Sequence, residues 1–418
     1  MRSAPIAHAW LAGEASNEQR AASGPGAQGG AVLIEVKGVQ FENKGAELML
    51  LAVLERLRRE WPRLEFALAP NPNTPFRRIV AAGGWQRLRA DGAPVDMDAW
   101  SYRLPARLLE RLHRHGIVTE REIDAVLDAS GFAYGATWDD SAMESTAREV
   151  RRLARHRKPY LFLPQAFGPF RITGTARAFG RALLEAALLC AREPESKRHL
   201  AELHDGLEQR IEVFPDFTMQ LAGDVAAARR HDVDRGTALL VPNQMMRSEF
   251  NPDPQWRAGY DSLMQSIGRQ LAQDGWRVRV LNHEGHSDEA TCRLLAESLS
   301  AGPVIAEPDP LALKGTLGAA GLVVCSRYHG CVSALAQGVP CLGTAWSHKY
   351  AALFEDFAAS EFLLQQCDER QASQALSRLL EQRGTLPRQL ASRLEVLAAR
   401  NEQMWQRVIG ILRQAGGA

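Results

Sequence analysis

Val323 to Lys349 reads VVCSRYHGCVSALAQGVPCLGTAWSHK. The apolar run from Gly321 to Cys325 has the length of a buried strand. Small and apolar residues from Gly330 to Gln337 follow at helical spacing, Pro340 to Leu342 is a second short strand, and Lys349 to Asp356 is a second helix. Two buried strands joined through a helix make a parallel unit, because parallel neighbours need a crossover. The first strand ends in Ser326, Arg327, Tyr328 and His329, at the strand-to-helix turn where α/β sheets place their ligands.

The same alternation runs on both sides of this unit. Towards the N-terminus, strands are expected at 31–37, 64–69, 125–129, 160–163, 189–192 and 211–213, the fourth stopping at Pro164. Helices are expected at 45–60, 141–156, 176–188 and 196–204, with Leu48, Leu51 and Leu54 on the core face of the first. Residues 70–75 (PNPNTP) are a loop by composition, and 76–120 reads as irregular helices and connections. A second series begins with strand 237–241, helix 255–274, strand 277–281, helix 287–299, strand 303–305 and helix 311–319. The mixed acidic and basic stretch 224–235 between the series reads as a linker, and 387–414 as a closing helix. The expectation is α/β: two Rossmann-like doubly wound domains, 31–225 and 235–380, facing each other across a cleft, preceded by a disordered segment 1–30.

Composition narrows the function. The 418 residues suit about two domains at roughly 100–200 residues each. Lys+Arg is 50 and Asp+Glu is 49, a net charge of +1, so no nucleic-acid partner is expected. Cys190, Cys292, Cys325, Cys331, Cys341 and Cys367 form no CxxC pair, and buried thiols in a reducing cytoplasm are the plain reading. No apolar run reaches the roughly 18 residues of a membrane span. The Ala-, Gly- and Ser-rich start lacks the pattern of a signal peptide.

The chemistry-bearing residues have two readings each. At the start of a helix Arg327 offers a fork for an anion and His329 a proton carrier near neutrality. Equally, Arg327 could form an ion pair and His329 could cap the helix. Arg192 ends a strand, where it could bind an anion or pair with Glu193 or Glu195. Asn282-His283-Glu284-Gly285-His286 follows a strand; His283 and His286 three apart are weak metal ligands, and a substrate-binding loop fits better. Asn243 and Gln244 end a strand and are candidate ligand contacts. Lys349 could touch an anion or lie on the surface. Glu47, Asp128, Asp139 and Asp216 are weaker acid or base candidates, each more often a cap or solvated carboxylate.

The pattern SRYHG, then SALAQGVPCLG, then Trp346, His348, Lys349 and Tyr350 resembles the C-terminal signature of the polysaccharide pyruvyl transferase family. Phe41 to Leu50 (FENKGAELML), Ala129 to Gly135 (ASGFAYG), Leu163 to Phe170 (LPQAFGPF), Ala191 to Ser196 (AREPES) and Phe214 to Phe217 (FPDF) resemble further elements of it, in order, over about 31–357. Many members carry Asn-x-Gly-Asp in the first loop; here Asn43-Lys44-Gly45 is followed by Ala46, and Glu47 is the nearest acid.

The resemblance implies a two-domain fold like the GT-B glycosyltransferases. It implies transfer of pyruvyl from phosphoenolpyruvate to two hydroxyls of a sugar, giving a ketal in cell-surface or exopolysaccharide biosynthesis. Arg192, Arg327 and His329 fall on positions implicated in donor binding and catalysis, with Ser326 and Gly330 beside them. Asn43, Gly45, Ser130, Gly131, Gln165, Asn243, His283 and Lys349 are candidate donor or acceptor contacts. The chemistry asks for an acid, a base and anion contacts, and no cofactor or metal is expected. The expected partners are phosphoenolpyruvate and a sugar or lipid-linked oligosaccharide, in the cytoplasm, with peripheral membrane association compatible. The rival readings are a glycosyltransferase of the same architecture using a nucleotide sugar, and an inactive binding or scaffold protein.

Overall fold

In the computed structural model the described residues are 32–89 and 96–415; the N-terminal segment 1–30 lies outside them. They divide into two compact units. The first contains Met49–Phe214 with the preceding strand and the chain from Glu402 on, and the second contains Glu42–Leu48 and Pro215–Asn401.

The first unit holds one eight-stranded sheet: β1 (Leu33–Lys37), β2 (Glu65–Leu68), β3 (Trp85–Arg87), β4 (Ile117–Val118), β5 (Ala125–Asp128), β6 (Tyr160–Gln165), β7 (Leu188–Ala191) and β8 (Ile211–Val213). Their order is 4-3-2-1-5-6-7-8, every pair parallel. The helices in chain order are α1 (Lys44–Arg58, of which the residues up to Leu48 belong to the second unit), α2 (Phe76–Ala81), α3 (Met97–Ser101), α4 (Ala106–His113), α5 (Ser141–Arg155), α6 (Gly174–Leu183) and α7 (Pro194–Ala201). Strand order reverses at β1/β5, so right-handed crossovers place helices on both faces. The second unit holds six parallel strands: β9 (Thr237–Val241), β10 (Arg277–Asn282), β11 (Ile305–Ala306), β12 (Leu322–Cys325), β13 (Cys341–Thr344) and β14 (Leu363–Leu364), ordered 11-10-9-12-13-14. Its helices are α8 (Pro254–Gln273), α9 (His286–Ser298), α10 (Pro310–Ala319), α11 (Tyr328–Ala336), α12 (Lys349–Asp356) and α13 (Glu369–Gln382); α14 (Leu386–Ala415) ends the described chain.

Local chemistry explains the central elements. Every residue of β9, β12 and β13 is buried, as strands covered on both faces must be. Asp253-Pro254 and Asp309-Pro310 start α8 and α10: each aspartate accepts first-turn N–H groups while proline presets the helical φ.

The structure corrects several expectations. The stretch 76–120 contains β3 and β4, which extend the sheet by strands too short to show a period. Pro164 does not stop β6; the pairing with β7 shifts register between Phe162 and Gln165, which accommodates a residue without an N–H. Helix α11 opens at Tyr328 rather than near Gly330, putting His329 in its first turn. Helix α13 and β14 were not anticipated. Residues 224–235 are no open linker: Val225–His231 is a 3-10 turn, and Asp224 N–H donates to Leu311 O at 2.9 Å.

That turn lies so close to α10 that a Cβ on Gly315 would sit 2.0 Å from Asp224 O. Backbone cannot yield as a flexible side chain can. Gly315→Ala should therefore destabilise the protein by about 1–3 kcal/mol, read by urea denaturation. Gly174→Ala, where a Cβ meets nothing within 4 Å, should leave stability unchanged or raise it by up to about 1 kcal/mol. Equal midpoints for both variants would mean that the Gly315 contact is not tight in solution.

Candidate active site

Helix α11 starts at the carboxyl end of β12, and the residues before it are locked in place. Ser326 Oγ lies 2.6 Å from Tyr260 Oη and accepts from Thr344 Oγ1 at 2.8 Å. Ser326 O accepts from Asn243 Nδ2 and Tyr350 Oη, each at 2.9 Å. Ser326 and Asn243, both expected as ligand contacts, thus spend their polar groups on this buried network. Gln244 likewise donates its N–H to Asp288 Oδ1 at 2.8 Å.

Arg327 is the N-cap residue of α11, and its side chain makes no cap hydrogen bond to that helix. Its guanidinium grips Asp288 with two bonds, Nε to Oδ2 at 2.7 Å and Nη2 to Oδ1 at 2.6 Å, and Nη1 contacts Glu284. Asp288 is fully buried. Burial opposes both charges, pushing the guanidinium down to about 10 and the carboxyl up to about 7. The bidentate contact acts the other way, and with a second carboxylate at Nη1 the arginine stays charged at neutral pH. The expectation of an open anion fork is therefore corrected: the fork is closed by two carboxylates, the ion-pair alternative.

His329 sits one residue into α11. Its Nε2 is 3.5 Å from Asp216 Oδ2, and Asp216 is held by Thr218, whose N–H and Oγ1 donate to Oδ1 at 2.9 and 2.5 Å. Gly45 presses on the other side of the imidazole: a Cβ there would be 2.1 Å from Nδ1. This explains a glycine in the Asn43-Lys44-Gly45 loop without invoking a ligand. Asn43 Nδ2 donates to Glu284 Oε1 at 3.0 Å, and Lys44 pairs with Glu47 at 2.9 Å. Gly330 is packed against Cys325 Sγ, where a Cβ would come within 2.6 Å, and 3.4 Å from His283 Cδ2. Lys349 is nearly buried, its Nζ 5.0 Å from the Trp346 ring centroid, 5.5 Å from Tyr328 and 5.9 Å from Tyr350; it is a caged cation rather than a surface lysine.

His283, at the end of β10, is buried, and its Nε2 has no hydrogen-bond partner among the described residues. An orphaned buried nitrogen is costly unless something else fills the role. His286 does not join it: its side chain is 95 % exposed and faces Glu289.

The remaining candidates assemble in the first unit, at the carboxyl ends of β5, β6 and β7. Asp128, fully buried, accepts from Ser130 N–H at 3.0 Å, Ser130 Oγ at 2.5 Å, Tyr134 Oη at 2.6 Å, Tyr160 Oη at 2.7 Å and Gln165 Nε2 at 3.3 Å. So occupied, it is a hub and not a base. Arg192 Nη2 donates to Gly131 O at 3.2 Å, while its Nε is 3.9 Å from Glu193 Oε2, too long for a strong pair. Gly131 turns at φ +71°, which favours glycine. Asp139 is exposed and accepts from the Ser141 N–H at 2.9 Å, just ahead of α5. A cavity of about 930 Å³ beside Gly236, Trp276, Gly321 and Pro340 lies at the amino ends of the second unit's strands, away from these residues.

A model of the polysaccharide pyruvyl transferase family matches residues 43–348. The chain belongs to this family. No curated protein matches it by sequence. Among solved structures it is similar to a glycosyltransferase from Rickettsia africae (11% identity, TM-score 0.56, covering 92% of this chain and 98% of that one). It is also similar to a UDP-GlcNAc 2-epimerase from Neisseria meningitidis bound to UDP-GlcNAc (8%, 0.54, 91% and 100%) and to an Anabaena protein in complex with UDP and glucose (12%, 0.54, 90% and 98%). At such identity the likeness shows the fold alone, a two-domain α/β architecture. Among the described residues no helix is long and apolar enough to cross a membrane.

Sequence reasoning gave no role to Asp288 and named Glu284 only as part of the loop after β10. Asp288 stands in plain view near His283, but an acid in the first turn of a helix reads first as a dipole partner. One consequence is measurable. Burial, with Arg327, His329 and Lys44 nearby, lowers the His283 pKa from 6.5 to about 3. Between those values the unfolded chain binds the extra proton, so stability is whole above the unfolded pKa and falls on acidification, by at most about 1.4 kcal/mol per pH unit. His283→Gln, which cannot protonate, should flatten that acid slope in urea denaturation across a pH series. A slope equal to the parent's would show that other groups carry it.

Proposed function

We propose that this protein transfers a pyruvyl group from phosphoenolpyruvate to a sugar, forming a ketal across two hydroxyls. The observation that supports it best is His329: an imidazole at a strand's carboxyl edge, faced by the Asp216 carboxylate and seated against Gly45 so closely that no side chain fits between. A carboxylate beside one nitrogen orients the ring and can exchange a proton with it, the arrangement of a general acid–base group. In the reaction the methylene carbon of the enol gains a proton. A sugar hydroxyl adds to the adjacent carbon, the carbon–oxygen bond to phosphate breaks, and a second hydroxyl closes the ring. Two hydroxyl protons are lost, one is gained by carbon and one by phosphate, with no change of oxidation state, so the scheme calls for no redox cofactor. We assign the carbon protonation to His329.

Donor recognition would then fall to the start of α11, whose dipole favours an anion, and to His283 Nε2. Asp288 holds the Arg327 fork in orientation. Glu284 is the exchangeable partner: it is less buried than Asp288, and the phosphate or carboxylate of the donor would take its place on Nη1. The acceptor is a free or lipid-linked sugar of a cell-surface or exopolysaccharide, and the reaction runs in the cytoplasm. The rival donor is a nucleotide sugar; a thermal shift with phosphoenolpyruvate and none with UDP-sugars separates the two, and the reverse result would favour the rival.

His329→Ala should fold, by circular dichroism, and lose about 10²–10⁴-fold in phosphate release from phosphoenolpyruvate. A folded variant with turnover near the parent's would remove His329 from the chemistry. Glu284→Gln should lower KM for phosphoenolpyruvate by up to about tenfold, roughly 1.4 kcal/mol, with kcat little changed. A raised KM would mean that Glu284 supports the donor site rather than competing for it.

A further inference from the structure

The first unit carries a cavity of about 300 Å³ at the carboxyl ends of β1 and β2. Its polar lining is Glu35, Lys37, Gln40, Asn71, Asn73 and Arg89, none of which the reaction above uses. Parallel sheets bind ligands at this edge. The loop after β1 is tightly seated: Gly38 turns at φ +77°, and a Cβ on it would lie 2.3 Å from Ser130 Cα.

The charges on the wall exclude one ligand class and favour another. Lys37 Nζ donates to Glu149 Oε2 at 2.7 Å and to Thr146 Oγ1 at 2.8 Å, and Arg89 Nη1 is 3.7 Å from the same carboxylate oxygen. Glu35 Oε2 accepts from Arg87 Nε at 2.9 Å. A phosphate would therefore meet cations that already share Glu149, with a second carboxylate beside them. A neutral polyol meets what it needs. Each hydroxyl both donates and accepts, the carboxylate accepts, the amides of Gln40, Asn71 and Asn73 do both, and Lys37 and Arg89 donate. Asn71 Oδ1 is taken by the Asn73 N–H at 2.9 Å, while no hydrogen bond among the described residues uses the Asn73 side-chain amide. The volume is at the lower end of small-ligand sites, about 300–1,000 Å³, enough for one ring and too small for a nucleotide. Burial raises the Glu35 carboxyl to about 7, with Arg87 lowering it and Glu149 raising it, so near neutrality this group can serve a hydroxyl as acceptor or donor.

We infer that this cavity binds a single hydroxyl-rich sugar ring and, resting on the reaction proposed above, that the ring belongs to the acceptor. The full chain is titrated, with no donor present, with the methyl glycosides of glucose, galactose and mannose and with N-acetylglucosamine and N-acetylmannosamine. Binding is followed by saturation-transfer NMR and calorimetry. At least one sugar should bind with a millimolar Kd. Gln40→Ala and Asn73→Ala, both outside the core, should each weaken it by about 2- to 10-fold, the worth of one hydrogen bond, and Glu35→Gln should weaken it comparably. Binding by none of the panel, affinity unchanged in Gln40→Ala and Asn73→Ala, or displacement of the sugar by inorganic phosphate would each overturn the inference. Sugar binding without any phosphate release from phosphoenolpyruvate would keep this site and reject the reaction; turnover with sugar affinity unaffected by the lining variants would do the opposite.

Discussion

A guanidinium sealed at the start of a helix must be neutralised, and in the second unit the geometry of everything nearby follows from how Arg327 meets that requirement. Its two bonds to Asp288 join the first turn of α9 to the N-cap of α11. Asp288 in turn accepts the Gln244 N–H, which brings in the turn after β9. Ser326 completes the frame through Tyr260, Thr344, Asn243 and Tyr350. A buried pair of this kind adds little net stability over apolar packing, but removing one partner costs about 3–5 kcal/mol, because the other charge stays behind. Its value is orientation: with α11 fixed, His329 has one place to be.

That place is defined from two sides. Asp216 supplies a carboxylate to Nε2, and Gly45 supplies a surface without a side chain at Nδ1. Gly45 belongs to the start of α1, so a loop far upstream in the chain shapes the environment of the imidazole. The departure of this loop from the usual family pattern, with Ala46 where many members have aspartate, leaves that packing role intact. Glu47, the nearest acid in this loop, pairs with Lys44.

The first unit solves the same problem with a carboxylate at the centre. Asp128 gathers Ser130, Tyr134, Tyr160 and Gln165, so three strand ends and the loop after β5 share one acceptor. Arg192 then ties β7 to that loop at Gly131. In both units the polar residues of family motifs mostly hold loops at the carboxyl edges; among the described residues His283 Nε2 in the second unit and Gln165 Oε1 in the first are buried without a hydrogen-bond partner.

The sequence by itself determined the architecture. Thr237–Val241 and Lys349–Asp356 fall where their apolar runs and spacing put them, and Asp-Pro pairs mark the starts of α8 and α10. These signals are local: a strand buried on both faces must be apolar, and a helix must satisfy its first N–H groups within a turn. The family motifs also located His329 and Arg327 at the strand-to-helix turn. Tertiary structure alone decided what those residues touch. That Arg327 is held by Glu284 and Asp288, that Asp216 faces His329, and that Tyr328 covers Lys349 are pairings between segments apart in the chain. The strands β3, β4 and β14 were equally illegible, being two or three residues long. Periodicity needs several residues to appear, and a charge in a sequence does not name its partner; only the fold brings the two within a hydrogen bond of each other.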